Sequence, residues 1–263
     1  MTERLDVETS DGGTIAVWVD GHGPPLVLVH GSISNHAGSA PLIGELRGEV
    51  TTFAMDRRGF GASPDGPGYS AEREFTDVAA VVDAAASRTG QPVVLFGHSW
   101  GASCALGAAP HLSSLRALVL YEPSLGLRYP PGSIDRIETR VEAGDYEGAL
   151  IELLTDVVGL PENEIADMRA AANWPERVAY APTIAREARI NDGWEWRPDG
   201  FSEIRVPTVL LTGSETAPEL AGVTSAAAAA IPGARVHVLQ GHGHMAVRFA
   251  PAVVADVLRD WLK

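Results

Sequence analysis

The chain has 263 residues, 45% hydrophobic and 21% charged, a balance that fits one large α/β domain or one domain carrying an insertion. Its 20 Lys+Arg against 34 Asp+Glu leave a net charge of −14, which repels phosphate backbones and anionic lipid and argues against nucleic-acid or membrane-surface partners. The only lysine is Lys263, which excludes a Walker A loop and an internal Schiff-base lysine, and the only cysteine, Cys104, excludes an internal disulfide and a multi-Cys metal site.

Residues 1–6 lack the apolar run of a signal peptide, and no stretch approaches the roughly 18 apolar residues of a membrane span, so a cytoplasmic location is expected. The pattern then predicts strands at 5–8 and 15–19, joined across the Asp11-Gly12-Gly13 turn. The short apolar run at 26–29 reads as a strand buried on both faces and that at 92–96 as another buried strand, with further strands at 50–55 and 117–121. Helical spacing separates them at 40–47, 70–88 and 100–109. From Pro123 the rhythm changes: residues 124–205 hold no buried-strand run but helical segments near 134–143, 146–158, 162–172 and 176–190. The sheet restarts at 206–211, followed by a helix at 217–230, a strand at 235–239 and a closing helix at 246–262. The expected fold is a mostly parallel sheet with helices on both faces, formed by 1–123 and 206–263, with 124–205 inserted as a helical cap.

The chemistry concentrates at Gly97-His98-Ser99-Trp100-Gly101, a G-x-S-x-G pattern between a predicted strand and a predicted helix. In so tight a turn the central Ser takes a strained backbone, and the flanking glycines let strand and helix pass without a Cβ clash. The hydroxyl then stands at a helix N-terminus, where the dipole favours developing negative charge. A second histidine-rich motif, Gly241-His242-Gly243-His244, follows the last predicted strand. With Met245-Ala246 it also satisfies G-x-G-x-x-A, but the further strand and acid that a dinucleotide site needs do not follow before Lys263. No HExxH or Cys–His cluster supports a metal, and neither metal nor cofactor is expected.

The order of these motifs resembles the α/β-hydrolase family. His30-Gly31-Ser32 stands at the family's oxyanion loop, and the stretch from Asp56 to Ser63 is similar to its D-x-R-G-x-G-x-S loop. The resemblance implies Ser99 as nucleophile and His244, rather than His242, as general base. It also implies backbone N–H groups of Ser32 and Trp100 as the oxyanion hole. His30, His98 and Arg58 read as structural, and Cys104 as a small buried group.

The triad acid departs from the family pattern G-x-x-D, because reading from Gly213 puts Thr216 at the acid's place. Two carboxylates compete: Glu215, one residue early, and Glu122, directly after the 117–121 strand. Glu122 is favoured, on the argument that a strand end is rigid and that Pro123 biases it toward extended backbone. Trp174, Trp194, Trp196, Met168 and Tyr129 are candidates to line the substrate cavity.

The resemblance implies a cofactor-independent serine hydrolase acting on a small, mostly apolar ester or lactone. Carbon–carbon bond hydrolysis, perhydrolysis, lyase chemistry and an epoxide-type reaction through a carboxylate stay open on the same fold, as does a non-enzymatic small-molecule receptor.

Overall fold

A computed structural model describes residues 2–66, 68–195 and 200–262. Eight strands form one sheet in the order β1-β2-β4-β3-β5-β6-β7-β8. The antiparallel pair β1 (Glu3–Glu8) and β2 (Thr14–Gly21) stands at one edge, and β2 also runs antiparallel to β4 (Thr51–Met55). The remaining pairs are parallel, through β3 (Pro25–Val29), β5 (Val93–His98), β6 (Leu115–Tyr121), β7 (Thr208–Gly213) and β8 (Arg235–Leu239).

The continuous apolar runs are explained by burial on both faces. Alternate residues of one strand enter opposite cores: Val27 and Val29 pack with Leu95, Leu118 and Leu210, while Leu26 and Leu28 pack with Phe96, Val119 and Leu211. The first face is covered by α2 (Ala71–Thr89), α3 (Trp100–Ala108) and α9 (Pro218–Ala230), the second by α1 (Ala40–Glu45) and α11 (Pro251–Leu262). Helix α2 starts at Ser70, whose side chain accepts from the Arg73 amide, and stops at Gly90 in the left-handed region.

Between β6 and β7 lie α4 (Ser133–Glu142), α5 (Tyr146–Glu152), α6 (Glu162–Ala170), α7 (Trp174–Ala179) and α8 (Ile184–Gly193). They share a separate apolar cluster, including Ile137, Leu150, Met168 and Ile184, which Ile33 of the core joins. Three predicted helices are broken. The one expected over 146–158 turns into a π-helix at Leu153–Val157, while Pro182 and Pro251 divide the segments expected over 176–190 and 246–262. The second break leaves a short helix, α10 (Ala246–Phe249), beside the His244 loop. Among the described residues no helix is long and apolar enough to cross a membrane.

Candidate active site

Ser99 joins β5 to α3 with φ 55° and ψ −126°. A non-glycine residue reaches this region only when its surroundings hold it there, and three backbone hydrogen bonds do so. The Ser99 amide donates to the Tyr121 carbonyl at 2.9 Å, and the Ser99 carbonyl accepts from Ala102 and Ser103. The glycines are required by approach: a Cβ on Gly97 would stand 2.5 Å from the Gly101 carbonyl, and one on Gly101 would stand 2.3 Å from the carbonyls of Val29 and His30. The His30-Gly31-Ser32 loop also comes close, since a Cβ on Gly31 would sit 3.0 Å from Ser99 Cβ.

His244 is buried, and its Nδ1 lies 2.5 Å from Glu122 Oε2. The other carboxylate oxygen, Oε1, accepts from the Gly213 amide at 2.8 Å and from the hydroxyls of Thr212 at 3.1 Å and Thr216 at 2.5 Å. Burial pushes the Glu122 carboxyl up, but the hydrogen bonds and the neighbouring imidazole outweigh it and hold it below the usual carboxylate range. Glu122 itself has φ 47°, so the extended backbone expected from Pro123 is not what forms: the chain turns left-handed here. Glu215 is exposed, and its amide donates to the His242 carbonyl. The structure therefore brings Glu122, and not Glu215, to the imidazole.

Ser99 and His244 line the same cavity, with Ser32 beside them, although no hydrogen bond joins the Ser99 hydroxyl to the imidazole in this structure. Contacts of this kind often tighten only with substrate bound. Among the described residues the amides of Ser32 and Trp100 have no protein acceptor, as free oxyanion donors require. The cavity has an accessible volume of about 90 Å³. Most of its wall is aliphatic or aromatic: Leu42, Phe96, Leu127, Leu153, Leu154 and Val157 contribute, as do Met168 and Tyr129.

The aromatic expectations need correction. Trp174 is 92% buried inside the helical cluster, with its indole N–H donating to Glu147, and does not reach the cavity. Trp194 packs against the sheet-side core and borders a separate depression with Phe201. In both cases the ring is used to pack one element on another. Trp196 lies outside the described residues.

The other motif residues hold the loops. His98 lies with its Nε2 2.9 Å from the His244 carbonyl, and burial next to the His244 ring pushes its pKa down to about 3, so it is a neutral prop. His30 accepts from the Arg57 amide at Nε2 and donates to the Gly31 carbonyl through Nδ1, which fixes its tautomer. Arg57, fully buried, donates to the carbonyls of His30 and Gly31 and to the carboxylates of Glu74 and Glu187. Burial works against its charge, but the two carboxylates outweigh it and raise its pKa. Glu74 also accepts from the Trp100 indole and the Tyr69 hydroxyl. Glu187 comes from α8, so one arginine ties the His30-Gly31 loop to the helices between β6 and β7. Neither Glu187 nor Thr212 as a partner of Glu122 was legible in the sequence, because their burial depends on distant segments. Among the described residues no group of three or more His, Cys, Asp or Glu is placed to hold a metal ion.

An α/β sheet with a Ser on a strand–helix elbow and a buried His–Glu pair whose imidazole lines the same cavity defines a hydrolase fold. The model of the alpha/beta hydrolase family matches residues 26–257, and the chain belongs to that family of hydrolases. It is similar to the crystal structure of an alpha/beta hydrolase from Sphaerobacter thermophilus, with 33% identity and a TM-score of 0.83 over 98% of this chain and 100% of that one. A 2-(acetamidomethylene)succinate hydrolase of Mesorhizobium japonicum is 24% identical over 100% of this chain and 95% of its own length. A pimeloyl-[acyl-carrier protein] methyl ester esterase of Xylella fastidiosa is 36% identical over 102 residues, 39% of this chain and 37% of that protein.

Proposed function

We propose that this protein is a serine hydrolase that cleaves a small ester or lactone with a mostly apolar body through an acyl-enzyme. The observation that carries the reading is the buried Glu122–His244 pair facing the cavity that Ser99 lines. His244 takes the Ser99 proton as Oγ attacks the acyl carbon, and Glu122 holds the imidazole through Nδ1–H and balances the imidazolium. The amides of Ser32 and Trp100 stabilise the tetrahedral oxyanion. His244 returns the proton to the leaving alcohol, and water then releases the acid by the same steps in reverse.

Residues 124–205 act in this reading as a cap, supported by the cavity wall that Tyr129, Leu153, Leu154 and Met168 supply. The esterase relative supports ester cleavage over its 102 residues. A second reading, hydrolysis of a different acyl bond by the same triad, is favoured by the relative named as a succinate hydrolase, which matches over the whole chain. A fluorophosphonate probe tests the nucleophile: it labels the wild type at Ser99 and fails to label Ser99→Ala. Labelling without turnover across a panel of short esters and lactones would favour the second reading.

A further inference from the structure

Two arginines enter the wall of the Ser99 cavity. Arg177, on α7, is 6% exposed, and Arg248, on α10 just past His244, is half-buried. Neither has an acidic partner within 4 Å among the described residues. The only protein acceptor that Arg177 finds there is the Ile33 carbonyl, 3.2 Å from Nη1. The buried Nε atoms of both arginines lack any hydrogen-bond partner among the described residues.

The neighbouring acid offsets this only in part, acting on Arg177 through space to raise its pKa. Glu176, beside Arg177 in sequence, sends its carboxylate to the Asn35 amide and the Tyr180 hydroxyl. Arg248 is close enough to disfavour the charge of Arg177: burial first, then Arg248, pushes Arg177 down to about 10. Elsewhere this chain pairs its buried arginines fully, Arg57 with Glu74 and Glu187 and Arg58 with Asp77. Arg177 is a buried cation without an ion-pair partner, which is costly unless a ligand completes the site, and the half-buried Arg248, which lies over the Phe249 ring, adds to that cost. Ile33 follows the oxyanion residue Ser32, so this charged corner belongs to the same end of the cavity as the reacting bond.

We propose that the substrate is an anion, an ester whose carboxylate sits between Arg177 and Arg248 while its apolar part fills the aliphatic wall. This rests on the serine-hydrolase reading above and narrows its substrate class. A planar carboxylate suits the guanidinium fork, and each charge-assisted bond is stronger than a neutral one.

The test pairs acids with neutral counterparts of equal length. Mono-4-nitrophenyl succinate, glutarate and adipate stand against 4-nitrophenyl butanoate, pentanoate and hexanoate, and 4-acetoxybenzoate against its methyl ester covers a charge on the leaving group. For at least one pair, wild-type kcat/KM is expected to favour the acid by about ten-fold or more. Arg177→Gln and Arg248→Gln should each reduce that ratio, chiefly through KM, and Arg248→Lys should retain part of it. Should Arg177→Gln fail to fold, the Arg248 variants carry the test alone. Neutral esters preferred in every pair, or an acid preference that survives the Arg248→Gln change, would overturn the proposal while leaving the hydrolase intact. Absence of both turnover and fluorophosphonate labelling would instead overturn the serine-hydrolase reading beneath it.

Discussion

Thr216 donates its hydroxyl to Glu122 Oε1 at 2.5 Å. A threonine thus stands where the family pattern has its acid, and it hydrogen-bonds a carboxylate that comes from the neighbouring strand. With Thr212 and the Gly213 amide it saturates one carboxylate oxygen and leaves Oε2 for His244. The two strand ends, after β6 and after β7, are adjacent in the sheet, which brings Thr216 to the Glu122 carboxylate.

Glu122→Gln is expected to lower kcat by about 10³–10⁴, the scale on which losing the triad acid's charge acts. Glu215→Gln should stay within about two-fold, since an exposed side chain away from the imidazole has little to contribute. Adding Thr216→Asp to Glu122→Gln should recover part of the loss by placing a carboxylate at the other strand end. Steady-state kinetics on one ester decide the ranking, and the reverse order would return the acid to the β7 side.

Arg57 links the His30-Gly31 loop to α8 through Glu187 and to α2 through Glu74. Arg57→Leu strands two buried carboxylates and should cost about 3–5 kcal/mol of stability. Glu187→Gln leaves the arginine its Glu74 partner, so denaturant melts should place it well short of that. Equal losses in the two variants would mean that Glu187 rather than Arg57 holds the loop.

The strands were legible because a sheet buried on both faces writes itself as continuous apolar runs, as at 26–29 and 117–121. The elbow was legible because Gly97 and Gly101 answer a backbone contact that no other residue permits. Glu122 emerged from the gap at Thr216, but its left-handed φ did not, since Pro123 restricts the preceding residue without telling which turn the fold needs. The tryptophans misled because an aromatic in a helical segment announces burial without direction. Arg177 and Arg248 gave no signal at all: a guanidinium in a helix reads as a solvated charge until tertiary packing encloses it.

Asp56 provides a pH test of the motif loop. It accepts from the His36 ring and amide, the Ala62 amide and the Trp18 indole. Burial pushes its carboxyl up, but these bonds outweigh that and bring it from the ordinary 3.8 to about 2. A depressed folded pKa means stability that is full above 3.8 and is lost as pH falls from 3.8 toward 2. Its size is on the order of 2 kcal/mol. Chemical melts of Asp56→Asn should be destabilised at pH 7 and show a shallower decline through that acid window than the wild type. Parallel pH profiles would show that Asp56 is not held in this way.

Ser99 sits at φ 55° and ψ −126°, a region glycine occupies freely and a residue with a Cβ does not. Such strain is worth about 1–3 kcal/mol, whereas replacing a residue by glycine costs about 0.5–1 kcal/mol in unfolded-chain freedom. The strain is the larger quantity, so Ser99→Gly should be more stable than Ser99→Ala, which keeps the Cβ while losing the same hydroxyl. At about 2–4 °C per kcal/mol for a chain near this size, the difference is readable in thermal melts. Both variants should lack turnover, so the comparison separates strain at the nucleophile from its chemistry. A melting temperature of Ser99→Gly at or below that of Ser99→Ala would mean that the elbow stores no appreciable strain.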